Sequence, residues 1–386
     1  MLKQYKLRFY NFRLMLFVLA LSIFGIQLVG IAADSLRSKQ IMGVVMGLTA
    51  MIILSLIDYS WILNFQWIMY GFNIVMLLGV RIFGSSANGA ARWIDLGFIT
   101  FQPTELSKII IILFFAKFFM DHEEELNTFR TIVKAVILLA VPLILIYNQP
   151  DMKNTITVLM LFCILFYVAG LSYKIIGGAI MIAIPLLVVF LLIVIQPEQK
   201  LIKDYQRDRI MSFLYPEEDE YSDDIEQQNN SMTAIASGEL YGKRITGQEA
   251  GNSVNQGNFV AENQTDFIFA VAGEEYGFIG CASIIICLLL ISLECIRMSL
   301  RAKDHAGKII CCGMATLVSL QSTINIMVAT GMGPNTGTPL PFVSYGLSSL
   351  VSMFIGMGLV LNVGLQSRAY EKELQRNISY RREEYL

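Results

Sequence analysis

Glu262-Asn-Gln-Thr-Asp266-Phe-Ile-Phe-Ala-Val-Ala-Gly-Glu-Glu-Tyr-Gly-Phe-Ile-Gly280 joins a polar segment, residues 197–265, to a long apolar run. Asp266 stands at the join, at the lip of a helix apolar enough to sit in lipid. A charge at such a boundary is costly to desolvate, so it is paired, wet or functional.

Working outward, the whole chain repeats this pattern. Of 386 residues, 55% are hydrophobic and 16% charged, and the mean hydropathy is +0.58. An ordinary soluble domain is about 25% charged. A helix that crosses a bilayer needs about 20 mostly apolar residues. Ten runs meet or approach that length: 12–33, 41–57, 62–83, 106–120, 131–147, 155–170, 174–196, 267–296, 308–331 and 342–366. The expectation is an all-α, polytopic membrane protein forming one domain over residues 1–386. Residues 197–265 make a long extracytoplasmic loop and 367–386 a cytoplasmic tail. The first run is too long for a signal h-region and lacks a small-residue cleavage site, so it reads as a retained anchor.

Lysine and arginine set the orientation. With the N-terminus inside, 17 of the 29 basic residues fall on the inner side. Among them are Lys3, Lys6, Arg8 and Arg13, then Arg297, Arg301, Lys303 and Lys308, then Arg368 to Arg382. Six more lie on the outer side once the long loop is set aside. Both termini are therefore expected in the cytoplasm.

The long loop is acidic, with 14 Asp or Glu against 6 Lys or Arg from Pro197 to Asp266. Little regular structure is expected after Pro216, around Glu217-Glu-Asp-Glu-Tyr-Ser-Asp-Asp224. Before it, Leu201, Ile202, Tyr205, Ile210, Phe213 and Leu214 approximate one helical face, with Lys203, Arg207 and Arg209 among them. That pattern predicts a helix lying in the interface near lipid phosphates.

Several chemistries are excluded. All six cysteines lie in or beside apolar runs, so no disulfide framework is implied. Both histidines, His122 and His305, map to the inner side. The outer face then has no imidazole to serve as a base or a zinc ligand. No nucleotide fingerprint and no basic nucleic-acid face is present. Outward-facing acid–base work falls to carboxylate, lysine, tyrosine or a bound ion.

Two more outer segments are unusually polar. In Asn88 to Lys108, Arg92 beside Trp93 suits a headgroup boundary, where a guanidinium grips phosphate as a fork. Pro103 and Glu105 are ordinary helix-start residues. Lys108 lies inside the apolar run and is an i,i+3 neighbour of Glu105. It is either half of a structural ion pair or a cation held for an anionic substrate. The second segment, Gly331-Met-Gly-Pro-Asn-Thr-Gly-Thr-Pro-Leu-Pro-Phe-Val-Ser-Tyr-Gly346, has too many breakers for a plain turn. Irregular backbone at a membrane edge is tolerated where it lines a wet cavity, which is the expectation here.

With these residues in view, the chain resembles the SEDS family (shape, elongation, division and sporulation; RodA/FtsW/SpoVE-like). The matching motifs are Ala90-Ala-Arg-Trp-Ile94, Phe101-Gln-Pro-Thr-Glu-Leu-Ser-Lys108, Gln149-Pro-Asp151 and Tyr205-Gln-Arg-Asp-Arg-Ile210. They continue through Ala234-Ile-Ala-Ser-Gly238, Thr265-Asp-Phe-Ile-Phe-Ala-Val271, Glu274-Glu-Tyr-Gly277 and Pro339-Leu-Pro-Phe-Val-Ser-Tyr-Gly346. They run in the family's order over almost the whole chain.

The resemblance implies a peptidoglycan glycosyltransferase of the bacterial plasma membrane. Its substrate would be lipid II, a disaccharide-pentapeptide on undecaprenyl pyrophosphate, polymerised at the outer face. Asp266 falls where the family has its essential aspartate and would be the catalytic base. Arg92, Lys108, Glu105, Gln102 and Glu262 would bind substrate. No cofactor is certain; a divalent cation with the pyrophosphate stays open, and the sequence shows no dedicated metal site. The implied partner is a class B penicillin-binding protein, a transpeptidase, alongside membrane lipids and no nucleic acid. Glu274 offers no easy substitute for Asp266, because on a helix it lies roughly 12 Å further along and about 80° around.

The chain departs from the family's pattern at Lys153 and Asn154, where Gly and Thr are usual, and at Ala261, Gln264 and Leu347. These departures keep a catalytically silent scaffold in play. A flippase or transporter of lipid-linked precursor is the other alternative, although no inverted repeat is visible.

Overall fold

The computed structural model describes residues 9–87, 90–95, 97, 100–196, 199, 202–215, 222–247 and 262–367. The string from Pro216 to Tyr221, with Leu201, Ala261 and the tail beyond Ser367, lies outside the described residues.

Each of the ten apolar runs holds a helix. In chain order they are α1 (Phe12–Ala32) and α2 (Asp34–Leu56), the short α3 (Tyr59–Leu63), then α4 (Gln66–Phe83). Next come α5 (Pro103–Asp121), α6 (Phe129–Tyr147), α7 (Met152–Val168) and α8 (Tyr173–Val194). The long polar segment adds α9 (Asp204–Leu214), α10 (Ser222–Ser237) and α11 (Lys243–Thr246), and the chain continues with α12 (Ile268–Arg301), α13 (His305–Ala329) and α14 (Leu347–Leu365). Seven of these, α1, α2, α6, α8, α12, α13 and α14, are long and apolar enough to cross a membrane. The apolar stretches of α4 and α7 are shorter. The fold is all-α and polytopic.

One small sheet interrupts it. β1 (Gly84–Ala87), β2 (Ala90–Asp95) and β3 (Thr100–Phe101) pair antiparallel in the order β1-β2-β3, with an irregularity between Ser85 and Ser86. Trp, Ile, Thr and Phe suit a pleated, half-covered surface.

Packing divides the helices into centre and rim. α5, α13 and α14 bury most of their side chains. Aromatic rings join α5 to α7, with Phe115 and Phe162 centroids 4.9 Å apart and Phe119 and Phe166 4.7 Å apart. α14 lies close on α2, where a Cβ at Gly47 would fall 2.3 Å from Phe354. Small residues at such crossings let backbones approach where lipid gives no hydrophobic drive. α8 is the opposite case: Val194 is its one buried residue. Its apolar side chains face outward all round, as they do when the solvent is hydrocarbon.

The loop corrects the sequence expectation. Residues 222–237 form a helix where little order was expected, and α11 follows. α10 is held by polar contacts that a charge count cannot show. Gln228 donates from Nε2 to the carbonyls of Val328 (3.1 Å) and Gly333 (2.7 Å), and Ser231 Oγ donates to Ala329 O (2.8 Å). The turn after α10 plugs into a kink in α12. There Gly277 adopts φ 62°, ψ −159°, a conformation essentially reserved for glycine. The N–H groups freed by the kink, of Phe278 and Ile279, donate to the carbonyls of Glu239 (2.8 Å) and Leu240 (3.3 Å). Lys243 then pairs with buried Glu274 at 2.6 Å, so that carboxylate is structural.

α9 forms as expected but does not lie free in the interface. Gln206, Met211 and Ser212 are buried against the protein, and Phe213 and Leu214 are the exposed apolar pair.

Candidate active site

Asp266 sits on a tight turn just before α12. The Glu262 carbonyl accepts from the N–H groups of Thr265 (3.0 Å), Asp266 (3.1 Å) and Phe267 (3.4 Å), and Glu262 itself takes a left-handed φ of 54°. The Gly331–Gly346 segment wraps this turn: Tyr345 N donates to Gln264 O at 2.9 Å. Buried Asn325 on α13 donates from Nδ2 to the carbonyls of Asp266 and Thr338, both at 2.7 Å. Gly337, at φ 69°, comes closest. A Cβ there would fall 2.9 Å from Asp266 Oδ2 and 3.6 Å from Lys153 Nζ. Lys153 donates to the Gly337 carbonyl. The carboxylate and the ammonium thus flank one glycine.

Lys153 also lines a cavity of about 220 Å³ with Arg92, Arg209, Gln206, Asn335 and Thr336. Three cations converge there from β2, α7 and α9. Lys153, Ile156, Pro334 and Thr336 continue into an apolar cavity of about 210 Å³, whose other walls include Met160, Ile324 and Met327. From the Gly331–Gly346 segment, Pro334 and Thr336 line both spaces, Asn335 lines the first, and Gly333 and Thr338 line the second.

Asp266 is half-buried, and burial pushes its carboxyl above the usual aspartate range. Lys153 pulls it back, the Glu262 carboxylate pushes it up, and Arg209 pulls it down. The net direction is upward. Such a group is a stronger base than a solvated aspartate.

The expected substrate residues separate into two sets. Arg92 lines the cavity, donating to the carbonyls of Gln149 (3.4 Å) and Pro150. Glu262 lies beside Asp266, its carboxylate accepting from Thr265 Oγ1 at 3.1 Å and Gln264 Nε2 at 3.4 Å. Gln102, Glu105 and Lys108 belong to a buried network behind the cavity. Lys108 is fully buried and donates to Glu105 Oε1 (2.8 Å) and Asn154 Oδ1 (3.2 Å). Asn154 Nδ2 donates to Asp151 Oδ2 (2.8 Å) and Thr104 Oγ1 (3.2 Å), and Gln102 Nε2 reaches the same Asp151 oxygen at 3.3 Å. The Lys108–Glu105 ion pair expected as one of the two readings is present, at 2.8 Å.

Sequence reasoning missed Lys153 and Arg209 as members of the site. Lys153 stood out only as a bulky departure, and Arg209 was read as a lipid-facing residue. Asn154, the other departure, completes the network by accepting from Lys108. Among the described residues, no group of three or more His, Cys, Asp and Glu side chains converges as a metal site would require.

Comparison with known proteins places the chain in a family. Residues 6–369 match the FtsW/RodA/SpoVE family, described as cell cycle protein. The chain is 30% identical over 368 residues to the peptidoglycan glycosyltransferase MrdB of Escherichia coli K12, covering 94% of this chain and 95% of that one. It is 31% identical over 379 residues to a probable peptidoglycan glycosyltransferase FtsW of Geobacter metallireducens, covering 93% and 96%. The fold is shared with the rod shape determining protein RodA of Thermus thermophilus (TM-score 0.67, 24% identity, 93% and 98% covered). It is also shared with a chain of a peptidoglycan synthase complex that coordinates polymerisation and crosslinking (TM-score 0.78, 24% identity, 92% and 98% covered). The chain belongs to the FtsW/RodA/SpoVE family.

Proposed function

We propose that this family member is a peptidoglycan glycosyltransferase that polymerises lipid II, with Asp266 as its general base. The observation that carries the reading is that Asp266 and Lys153 both lie against Gly337, at the edge of a cavity lined by three cationic side chains. Asp266 takes the proton from the acceptor sugar hydroxyl as its oxygen attacks C1 of the donor sugar. The new C–O bond forms on one face while the bond from C1 to the pyrophosphate oxygen breaks on the other. Arg92, Arg209 and Lys153 face the charge that develops on the departing pyrophosphate. Arginine suits this work because its planar fork matches phosphate oxygens.

The apolar cavity that shares Lys153 gives the polyprenyl chain a way in from the bilayer. Its walls Ile156, Met160 and Met327 are partly exposed on the lipid side. Lys108 and Glu105 do not touch substrate in this reading. They hold Asp151 and Asn154, and through them the start of α7 that carries Lys153. The protein sits in the bacterial plasma membrane with both termini inside and Asp266 at the outer face, as the basic residues direct. Its partner is a class B transpeptidase that crosslinks the new strand, in keeping with the coupled synthase complex of like fold.

The test is purified protein with lipid II, scored for glycan strands on a gel, alone and with the transpeptidase. Strands from wild type and none from Asp266→Asn are expected. Equal strand synthesis by both would overturn the mechanism.

A further inference from the structure

A second and larger cavity lies at the other end of the bundle. α12 starts beside Asp266 and ends here, and the start of α1 and the end of α14 close the space. Its volume is about 520 Å³, and its walls include Tyr10, Arg13, Glu294, Arg297, Arg301 and Ser367. Glu294 is buried and already engaged: it accepts from Asn11 Nδ2 at 2.9 Å and pairs with Arg297 Nη1 at 2.5 Å. That leaves Arg13 and Arg301, and among the described residues neither has a carboxylate partner. The first turn of α1 adds the positive end of its dipole.

Apolar side chains continue the site into the membrane. Leu293 and Leu289 lie one and two turns from Arg297 on the same helical face, and they are 49% and 56% exposed. Leu16 follows Arg13 by three residues and is 62% exposed. A ligand that fits both parts carries a phosphate or like anion at one end and a hydrocarbon chain at the other.

We propose that this cavity is a binding site for the phosphate headgroup of an anionic phospholipid. The phosphate sits between Arg13 and Arg301 with Arg297 at its edge, and one acyl chain runs along Leu293 and Leu289. Two guanidinium groups at one phosphate give charge-assisted, forked hydrogen bonds, stronger than a diffuse surface attraction. The site is independent of the reaction centre, since none of its residues lines the cavities near Asp266.

Native mass spectrometry of the purified full chain tests it, with phosphatidylglycerol or phosphatidylcholine titrated in and with inorganic phosphate in a parallel arm. Wild type is expected to retain phosphatidylglycerol with roughly tenfold preference. The Arg13→Gln/Arg301→Gln protein should lose that preference while keeping its melting temperature and its strand synthesis. Should the double variant not fold, the single Arg301→Gln, at the exposed end of α12, serves instead, and a reduced preference is expected. Equal retention of both lipids by wild type would overturn the proposal and leave the face to a cytoplasmic protein. Displacement of phosphatidylglycerol by inorganic phosphate at matched concentration would show a free-anion site and overturn the lipid assignment.

Discussion

Two clusters of charge lie within one turn of helix of each other, and they do different work. Lys108, Glu105, Asn154, Asp151 and Gln102 are all buried, and each has a partner within 3.3 Å. Arg92, Lys153 and Arg209 instead edge an open space, and Asp266 stands beside them. Residue type does not separate the two clusters; both mix carboxylate and cation. Surroundings do. The first cluster is closed inside the protein, where removing one charge strands its partner, and among the described residues only Glu105 Oε2 of its charged oxygens is left without a hydrogen bond; the second lines a cavity that a ligand can enter.

Removing the base from the open cluster should have the largest effect. Asp266→Asn keeps size and polarity but cannot take a proton. General-base catalysis contributes about 10²–10⁴-fold, so strand synthesis should fall by at least that lower figure. The melting temperature should stay within a degree or two of wild type, since Asn325 and Tyr345 grip only backbone around this turn. A variant that loses stability along with activity would place Asp266 in the structural cluster.

The closed cluster should answer the opposite way. Lys108→Ala leaves Glu105 buried without its cation, a change that costs about 3–5 kcal/mol. Thermal unfolding in detergent should register the loss. Glu105→Gln/Lys108→Gln removes both charges together and should recover most of the stability and of the strand synthesis. If the double variant is stable but inert, Lys108 reaches the substrate and the division between the clusters fails.

This division was only half legible in the sequence. All ten apolar runs contain their helices, because hydropathy over some 20 residues is a local property. Asp266 and Arg92 could be singled out because each is a polar group at an apolar border. Lys153 could not. It is 113 positions from Asp266 and meets it only because α7, α13 and the Gly331–Gly346 segment bring Gly337 between them. Arg209 was visible in its helix, but the side of α9 that faces protein was not. α10 was missed for a related reason: its anchors, Gln228 and Ser231, bond to carbonyls about 100 residues away. Charge composition describes a segment's solvation and says nothing of a dock waiting elsewhere in the fold.

Within the open cluster, the cations should matter less than the base. Removing one charged hydrogen-bond donor from a site costs about 1.5–3 kcal/mol, or roughly 10- to 100-fold. Arg209→Ala and Lys153→Gly should each reduce kcat/KM for lipid II by that order, with little change in melting temperature. Lys153→Gly is the more informative, since it restores the residue usual in the family. If it polymerises as well as wild type, Arg92 and Arg209 suffice for the pyrophosphate and Lys153 serves the loop at Gly337 alone.

The smallest effect is a displacement of the pH profile, and its sign separates Lys153 from Glu262. Asp266 must be ionised to act as a base, so kcat/KM should rise with pH as the carboxyl loses its proton. Burial has set that rise above the ordinary aspartate range, and the Lys153 ammonium opposes it. Lys153→Ala removes the opposing charge, so the carboxyl should move further up and the rise should shift to higher pH. Glu262→Gln removes a neighbouring anion that pushes the carboxyl up, so its rise should shift to lower pH. Salt sharpens the distinction. Glu262 is exposed, so its influence should fade as ionic strength grows, whereas Lys153, half-buried against Gly337, should keep more of its own. Two shifts in the same direction, or none in either variant, would mean that the limb reports a group other than Asp266.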